Sequence, residues 1–342
     1  MYKVSVIVPI YNTEKFIERC VRSLFEQTLL DIEYIFVDDH STDNSIEILK
    51  HVIDNYPDRK SHTKIISHDR NLGTLCAKLD GLRLATGEYF IVCDSDDWVD
   101  ENAYQTLYDK AVETGADIVI GDYLKEYINS SKYCTHSPGN YTNGIDIIKN
   151  SYLTGFEWQV CTGIFKNQQN ILSTIDRIEG LCMWDDVYAS IVLFYYASKV
   201  VHISNAFYHY DRTVHGSVSE EMANRRWRDQ EKVVQKLQGL LNHECVLTLR
   251  WLELDTVIPY MIRTNQLDWI DMFPGCEKYI SQMKQWPFYW RWAFISLSHG
   301  HKLPYRMLKR ILQVYKQIRG TYEQKILFLA LINEIFDFDT CL

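Results

Sequence analysis

The densest chemistry in this 342-residue sequence lies in two acidic groups, Asp38-Asp39 and Asp94-Ser95-Asp96-Asp97. Three carboxylates within four residues repel one another unless a cation or protons compensate. Hard oxygen ligands of this kind suit Mn2+ or Mg2+. Such ions bind through one or two carboxylates and complete their shell with substrate phosphates. Asp94 and Asp96 are therefore the candidate ligands, with Ser95 between them. The plainer alternative is that these residues cap a helix near residue 101 and decorate a turn. No GxxxxGK[ST] phosphate loop and no GxGxxG fingerprint occurs, which disfavours a P-loop NTPase or a typical dinucleotide-binding dehydrogenase.

Both acidic groups follow short apolar runs, and those runs say what positions them. Residues 4–10 suit a strand buried on both faces. A helix is expected over about 14–27, capped by Asn12 or Thr13. Strands at 34–37, 64–67, 89–93 and 117–121 then alternate with helical spacing at 46–56, 75–85 and 101–114. This order predicts an α/β fold with a mostly parallel sheet flanked by helices. In such a sheet ligands bind beyond the carboxyl ends of the strands. Asp38-Asp39 and Asp94–Asp97 should therefore face one crevice. The pattern loosens over 123–144, returns as a helix at 183–195, and continues as two short strands at 200–204 and 207–211. From Glu220 the signals are mainly helical. The expected division is a domain over 1–219 and a C-terminal helical region over 220–342.

Composition narrows the function class. A formal charge of −9 argues against a general nucleic-acid binder, so no nucleic-acid partner is expected. The nine cysteines are odd in number and form no CxxC pair, so reduced thiols in a cytosolic protein fit better than disulfides or zinc. The first residues lead straight into a strand without a signal-peptide pattern. No run approaches the roughly 20 apolar residues that span a bilayer. A cytoplasmic location is expected.

Five segments in order make the pattern specific: Val4-Ser5-Val6-Ile7-Val8-Pro9-Ile10-Tyr11-Asn12, Val37-Asp38-Asp39-His40-Ser41-Thr42-Asp43, Asn71-Leu72-Gly73, Gly87-Glu88-Tyr89 and Asp94-Ser95-Asp96-Asp97-Trp98. Together they resemble the family 2 glycosyltransferases, whose catalytic domain has the GT-A nucleotide-diphospho-sugar fold. The likeness is clear over about the first 125 residues and weaker to about 220. It implies that Pro9 and Tyr11 line the nucleotide base and that Asp39 accepts a hydrogen bond from uracil. Simple packing is the alternative for Tyr11. Asp38 would stabilise the loop. Asp94 and Asp96 match the metal–diphosphate motif, with Asp96 the direct ligand; Asp97 would orient the donor sugar or cap the next helix. The sequence departs from the family in having His40 where Gly is common. It also has Lys78-Leu79 in place of a frequent Arg-Asn before Gly81. Lys78 keeps a positive charge near the nucleotide, without the bidentate geometry of arginine.

Trp184-Asp185-Asp186-Val187-Tyr188 resembles the family's acidic pair before a helix, with Asp185 where Glu is usual. Asp186 aligns with the catalytic aspartate and is the expected base, since a positioned carboxylate can take the proton of an acceptor hydroxyl. Adjacent residues at a helix start do not easily share a pocket, so one of the two is expected to cap the helix; the alternative is that both are caps. Tyr208-His209-Tyr210-Asp211-Arg212 and Ser217-Val218-Ser219 resemble the aromatic strand and Ser-containing loop that follow the base. Arg212 or His215 would reach the diphosphate, and residues 158–166 would border the acceptor pocket. The resemblance implies an inverting, hexosyltransferase-type enzyme of surface polysaccharide synthesis. The donor would be a nucleotide-sugar, a UDP-sugar foremost, and the acceptor a glycan or lipid-linked saccharide. The alternatives are a metal-dependent sugar nucleotidyltransferase and a non-catalytic sugar-nucleotide-binding scaffold.

The C-terminal region has its own signature. From residue 277 to 319 there are nine Lys or Arg and one acidic residue, so this segment is basic within an acidic chain. Trp286, Phe288, Tyr289, Trp290 and Trp292 are interleaved with it. A basic amphipathic helix over about 306–319 would lie on an anionic membrane, giving peripheral contact with the inner membrane surface. The same pattern also fits a helix packed on a neighbour with its charged face in water.

Overall fold

The computed structural model describes residues 2–181, 183–213, 220–241, 243–264, 269–282, 288–302 and 306. Strands β1 (Val4–Ile10) and β2 (Ile32–Asp38) are buried at every position. Their near-continuous apolar runs belong to strands covered on both faces. They pair in parallel, with Val4 opposite Ile32 and Ile10 opposite Asp38. β3 (Thr63–Ser67) joins β2, and β4 (Tyr89–Val92) joins the other side of β1, both parallel. Parallel neighbours need crossovers. Helices α1 (Ile17–Phe25), α2 (Ser45–Asp54), α3 (Pro57–Lys60) and α4 (Thr74–Leu84) lie along them.

The chain continues through β5 (Trp98–Val99), α5 (Ala103–Thr114), β6 (Ile118–Tyr127), β7 (Ser130–Cys134), α6 (Gly144–Thr154), β8 (Gly163–Lys166), α7 (Gln169–Leu172), α8 (Asp185–Tyr196), β9 (Val200–Asp211) and α9 (Glu220–Leu240). The sheet order is β3-β2-β1-β4-β8-β6-β9-β5, with β7 beside β6. β8 runs antiparallel to both β4 and β6, while β6 and β9 are parallel. Strands β1, β2, β4, β6 and β9 therefore end at one edge of the sheet. This is the mostly parallel α/β sheet flanked by helices that the alternating pattern predicts.

Several elements differ from expectation for visible reasons. α1 starts at Ile17 rather than near residue 14, and no side chain caps it. Thr13 N donates to Ser45 Oγ, Glu14 N to Asp43 Oδ2, and Thr42 N to Asn12 Oδ1. The expected caps are thus tied to the loop after β2. β6 runs six residues past the expected end and turns back as β7, with Tyr127 opposite Ser130. Its polar outer half hid it from a hydrophobicity reading. The two short strands expected at 200–204 and 207–211 are one strand, interrupted by register shifts opposite Gly121 and Asp122. Such bulges bend a strand without ending it.

Helix α4 lies close on the sheet. A Cβ at Gly81 would come 2.5 Å from Ile7 Cγ2 and 3.2 Å from Val37 Cγ2. Only a residue without a side chain permits this approach, which sets the height of Lys78 above β1 and β2.

The chain divides into two compact units, Met1–Val246 and Leu247–Leu342. α9 falls in the first, whereas a division at 219/220 would assign it to the second. The second unit is helical, with α10 (Val246–Thr264), α11 (Trp269–Met272) and α12 (Phe288–Ser298). Leu252, Leu254, Met261, Phe273 and Phe294 are among its buried residues. No described helix is long and apolar enough to cross a membrane. The expected basic helix at 306–319 lies outside the described residues apart from Arg306.

Candidate active site

Lys78 organises the strand-end edge. It is 3% exposed on α4, and its Nζ lies 2.6 Å from Asp186 Oδ1, 2.9 Å from Asp185 Oδ2 and 3.4 Å from Asp94 Oδ1. Burial by itself lowers a lysine; here the three carboxylates outweigh it and hold the ammonium well above its ordinary value. Asp185 and Asp186 open α8, whose N-cap is Trp184 at φ 64° with no side-chain cap. That left-handed backbone costs a non-glycine residue roughly 1–2 kcal/mol. The expectation that one of the two aspartates caps the helix is corrected: both reach Lys78 instead. The Asp186 side chain keeps 28% exposure. Burial, together with the charges of Asp185 and Asp94, pushes its carboxyl up to about 7, against the opposing pull of Lys78.

The acidic turn after β4 splits its carboxylates between two tasks. Asp97 is fully buried: Tyr208 donates its hydroxyl hydrogen to one oxygen, and Asp211 N donates to the other at 2.8 Å. Burial, then the charges of Asp96 and Asp94, push it up to about 9. Asp97 therefore ties the turn to β9, a role that neither donor orientation nor helix capping describes. Asp94 and Asp96 stay partly exposed. Burial, then Asp94, pushes Asp96 up to about 6, and among the described residues no side chain donates a hydrogen bond to its carboxylate. Three carboxylates around one ammonium, plus Asp96, leave an excess of negative charge that a divalent cation fits. No three His, Cys, Asp or Glu side chains among the described residues form a complete metal cage.

An arginine that sequence reasoning missed braces this turn. Arg19 of α1 donates to the Asp96 carbonyl at 2.8 Å and pairs with Asp211 at 2.5 Å. Its guanidinium stacks 3.7 Å over Trp98, which in turn stacks on His209. The one sequence signal was an arginine on the polar side of an amphipathic helix, which ordinarily means solvent.

The loop after β2 forms the other end of the edge. Asp39 is 3% exposed; its Oδ1 accepts from Leu72 N at 2.7 Å and its Oδ2 from Gly73 N at 2.8 Å. Gly73 has φ 91°, and a Cβ there would meet the Leu181 backbone at 3.0 Å. Asp38 Oδ1 accepts from Ser41 N at 2.8 Å. His40 has φ 66°, the left-handed region that favours glycine. Pro9 is buried within β1, and Tyr11 at its end is 46% exposed.

Asp94 and Asp186 share a cleft of about 390 Å³ with Lys125, Tyr127, Gln159, Cys161, Tyr210 and Arg212. This size suits a small-molecule site. Of the 158–166 segment, Gln159 and Cys161 face the cleft. Trp158 is buried against Phe156 and Phe194, and 163–166 form β8. His215 and residues 217–219 lie outside the described residues. Lys125 and Tyr127 come from the part of β6 that the sequence reading did not extend to.

The family described as Glycosyl transferase family 2 matches residues 5–168. Glycosyltransferase GlyG of Streptococcus pneumoniae is 43% identical over 120 residues, 35% of this chain and 38% of that protein. The chain spans 31%, 56% and 48% of the length of three further curated relatives. Among solved structures, S. aureus TarS 1-349 in complex with UDP-GlcNAc superposes with a TM-score of 0.66 at 18% identity, over 91% of both chains. The mannosyltransferase PcManGT from Pyrobaculum calidifontis, in complex with GDP-Man and Mn2+, gives 0.52 at 15% identity, over 98% of this chain and 87% of that one. At such identities the likeness is one of fold, and the fold is GT-A. With its ordered motifs and its sheet, the chain has the GT-A fold, and its residues 5–168 match glycosyl transferase family 2.

Proposed function

We propose that this chain is an inverting glycosyltransferase that moves a sugar from a nucleotide-diphospho-sugar, a UDP-sugar foremost, to a hydroxyl of a glycan or lipid-linked glycan. The observation that carries the reading is Asp186: a carboxylate open to the cleft, 2.6 Å from the Lys78 ammonium, and sharing that cleft with Asp94. A carboxyl near 7 can accept a proton at neutral pH and release it after turnover. Asp186 takes the proton of the acceptor hydroxyl. The oxygen bonds to the anomeric carbon as the bond to the diphosphate oxygen breaks on the opposite face, which inverts the centre, as in inverting glycoside hydrolysis with the acceptor in place of water.

Asp94 and Asp96 would hold the Mn2+ or Mg2+, which would stabilise charge on the departing diphosphate. Lys78 limits the repulsion among Asp94, Asp185 and Asp186, so that these acids can lie beside an anionic donor. Asp39, Pro9 and Tyr11 would receive the nucleobase at the β1–β2 end. Gln159, Tyr127 and Tyr210 line the side of the cleft left for the acceptor. The GlyG relative and the UDP-GlcNAc complex of TarS support a sugar-nucleotide donor. The reading is tested by Asp186→Asn. Donor binding by calorimetry should be retained while transfer falls about 10²–10⁴-fold. Near-normal transfer would move the base elsewhere, with Asp185 the first candidate.

A further inference from the structure

We propose that His68 is a positioning residue for nucleobase recognition, holding Asp39 in the one orientation that leaves an oxygen free for a pyrimidine imide N–H. The inference rests on the proposed sugar-nucleotide donor. His68 follows β3, and its backbone N–H donates to the Asp38 carbonyl at 2.9 Å. Its side chain is 10% exposed and lies between two carboxylates, with Nδ1 2.7 Å from Asp39 Oδ1 and Nε2 3.1 Å from Asp80 Oδ2. Asp80 is itself held, accepting from Arg83 at 2.8 Å and pairing with Arg177. The ring is therefore fixed from both sides, and α4 carries both Lys78 and the Asp80 anchor.

The consequence follows from counting lone pairs on Asp39. A carboxylate oxygen accepts about two hydrogen bonds. Oδ1 is filled by Leu72 N and His68 Nδ1; Oδ2 takes Gly73 N and keeps one position. With His68 in place, an incoming N–H donor has a single oxygen to meet, at a fixed angle. Without it, Oδ1 has an open position of its own and competes with Oδ2 for the donor. The same turn is bonded to the segment leading to the catalytic carboxylates, since Gly180 N donates to the Leu72 carbonyl at 2.8 Å. Its position is thus shared with the rest of the site, while the discrimination among bases rests on Asp39 and His68.

Uracil presents an imide N–H at this edge; cytosine presents a bare nitrogen acceptor there. Loss of His68 should therefore affect UDP and leave CDP alone, which a merely structural role would not do. The experiment measures Kd for UDP and for CDP, with Mn2+, in the full chain. His68→Leu should weaken UDP roughly tenfold, the worth of one hydrogen bond to a charged group, and leave CDP unchanged. His68→Gln keeps a donor and the polar volume and should recover part of the loss. With a UDP-sugar, KM should rise while kcat at saturation stays near wild type. Equal weakening of UDP and CDP, or unchanged UDP affinity in both variants, would overturn the inference. Should His68→Leu fail to fold, the Gln variant decides alone: its UDP-to-CDP ratio must fall. If the wild-type chain binds neither nucleotide, the donor reading itself fails. If Asp39→Asn abolishes the preference for UDP and both His68 variants keep it, only this inference fails.

Discussion

At the scale of single residues the site is a charge problem that Lys78 resolves. Removing its ammonium leaves Asp94, Asp185 and Asp186 facing one another, and breaking a buried ion pair from one side costs about 3–5 kcal/mol. Lys78→Met should show a loss of that order in urea unfolding. The sign with pH follows from the carboxylates. Asp186 is already pushed up to about 7 with Lys78 opposing, and losing the ammonium raises it further, so the stability its protonated form allows is present at low pH and lost as pH rises. The gap to wild type should be smaller at pH 5 than at pH 8; a gap independent of pH would contradict this. Asp186 makes a second pH statement. Its carboxyl stands at about 7, and only the ionised form accepts a proton, so kcat/KM should climb through about pH 7 and the climb should vanish in Asp186→Asn. Asp38, Asp39, Asp94 and Asp96 could be singled out in the sequence because they follow apolar strand runs, and the structure places them at the strand-end edge. Arg19, His68, Asp80 and Asp211 were not, because each acts through a partner distant in sequence, and no spacing rule marks such pairs.

At the scale of elements, α4 is the piece that places Lys78, and Gly81 is what seats it. Gly81→Ala would press a Cβ against Ile7, and overpacking of this kind typically costs about 1–3 kcal/mol. The expected outcome is a lower midpoint in thermal unfolding together with reduced transfer, since Lys78 moves with the helix. Full stability and activity in that variant would mean α4 is seated less tightly than the contact implies. The first half of the sheet was readable because β1, β2 and β4 are buried on both faces and carry unbroken apolar runs. The outer half of β6, together with β7 and β8, escaped. Residues 125–134 are polar and exposed on much of their surface, and β8 has only four residues. Trp184 was missed as a backbone device because nothing in the identity of a tryptophan announces a positive φ. That turn is why two adjacent aspartates reach one ammonium.

At the scale of the whole molecule, the acidic first half and the basic segment at 277–319 invite different partners. We propose that this segment makes peripheral contact with anionic membrane, where a lipid-linked acceptor would be met. The motivation is its nine basic residues against one acidic residue, beside several aromatics. Each basic residue near such a surface contributes on the order of 1 kcal/mol, and salt weakens the attraction. Binding to phosphatidylserine vesicles should fall, without vanishing, as salt rises, and Lys309, Arg310, Lys316 and Arg319 changed to Gln should weaken it. No binding at low salt would make the segment a packing element. The central claim lies in the cleft and is tested by its products. The chain should be incubated with a panel of UDP-sugars and Mn2+, and the released nucleotide identified. The account predicts release of UDP from at least one donor, dependent on the metal and lost in Asp96→Ala. Release of pyrophosphate, or UDP release that ignores both the metal and Asp96, would contradict it.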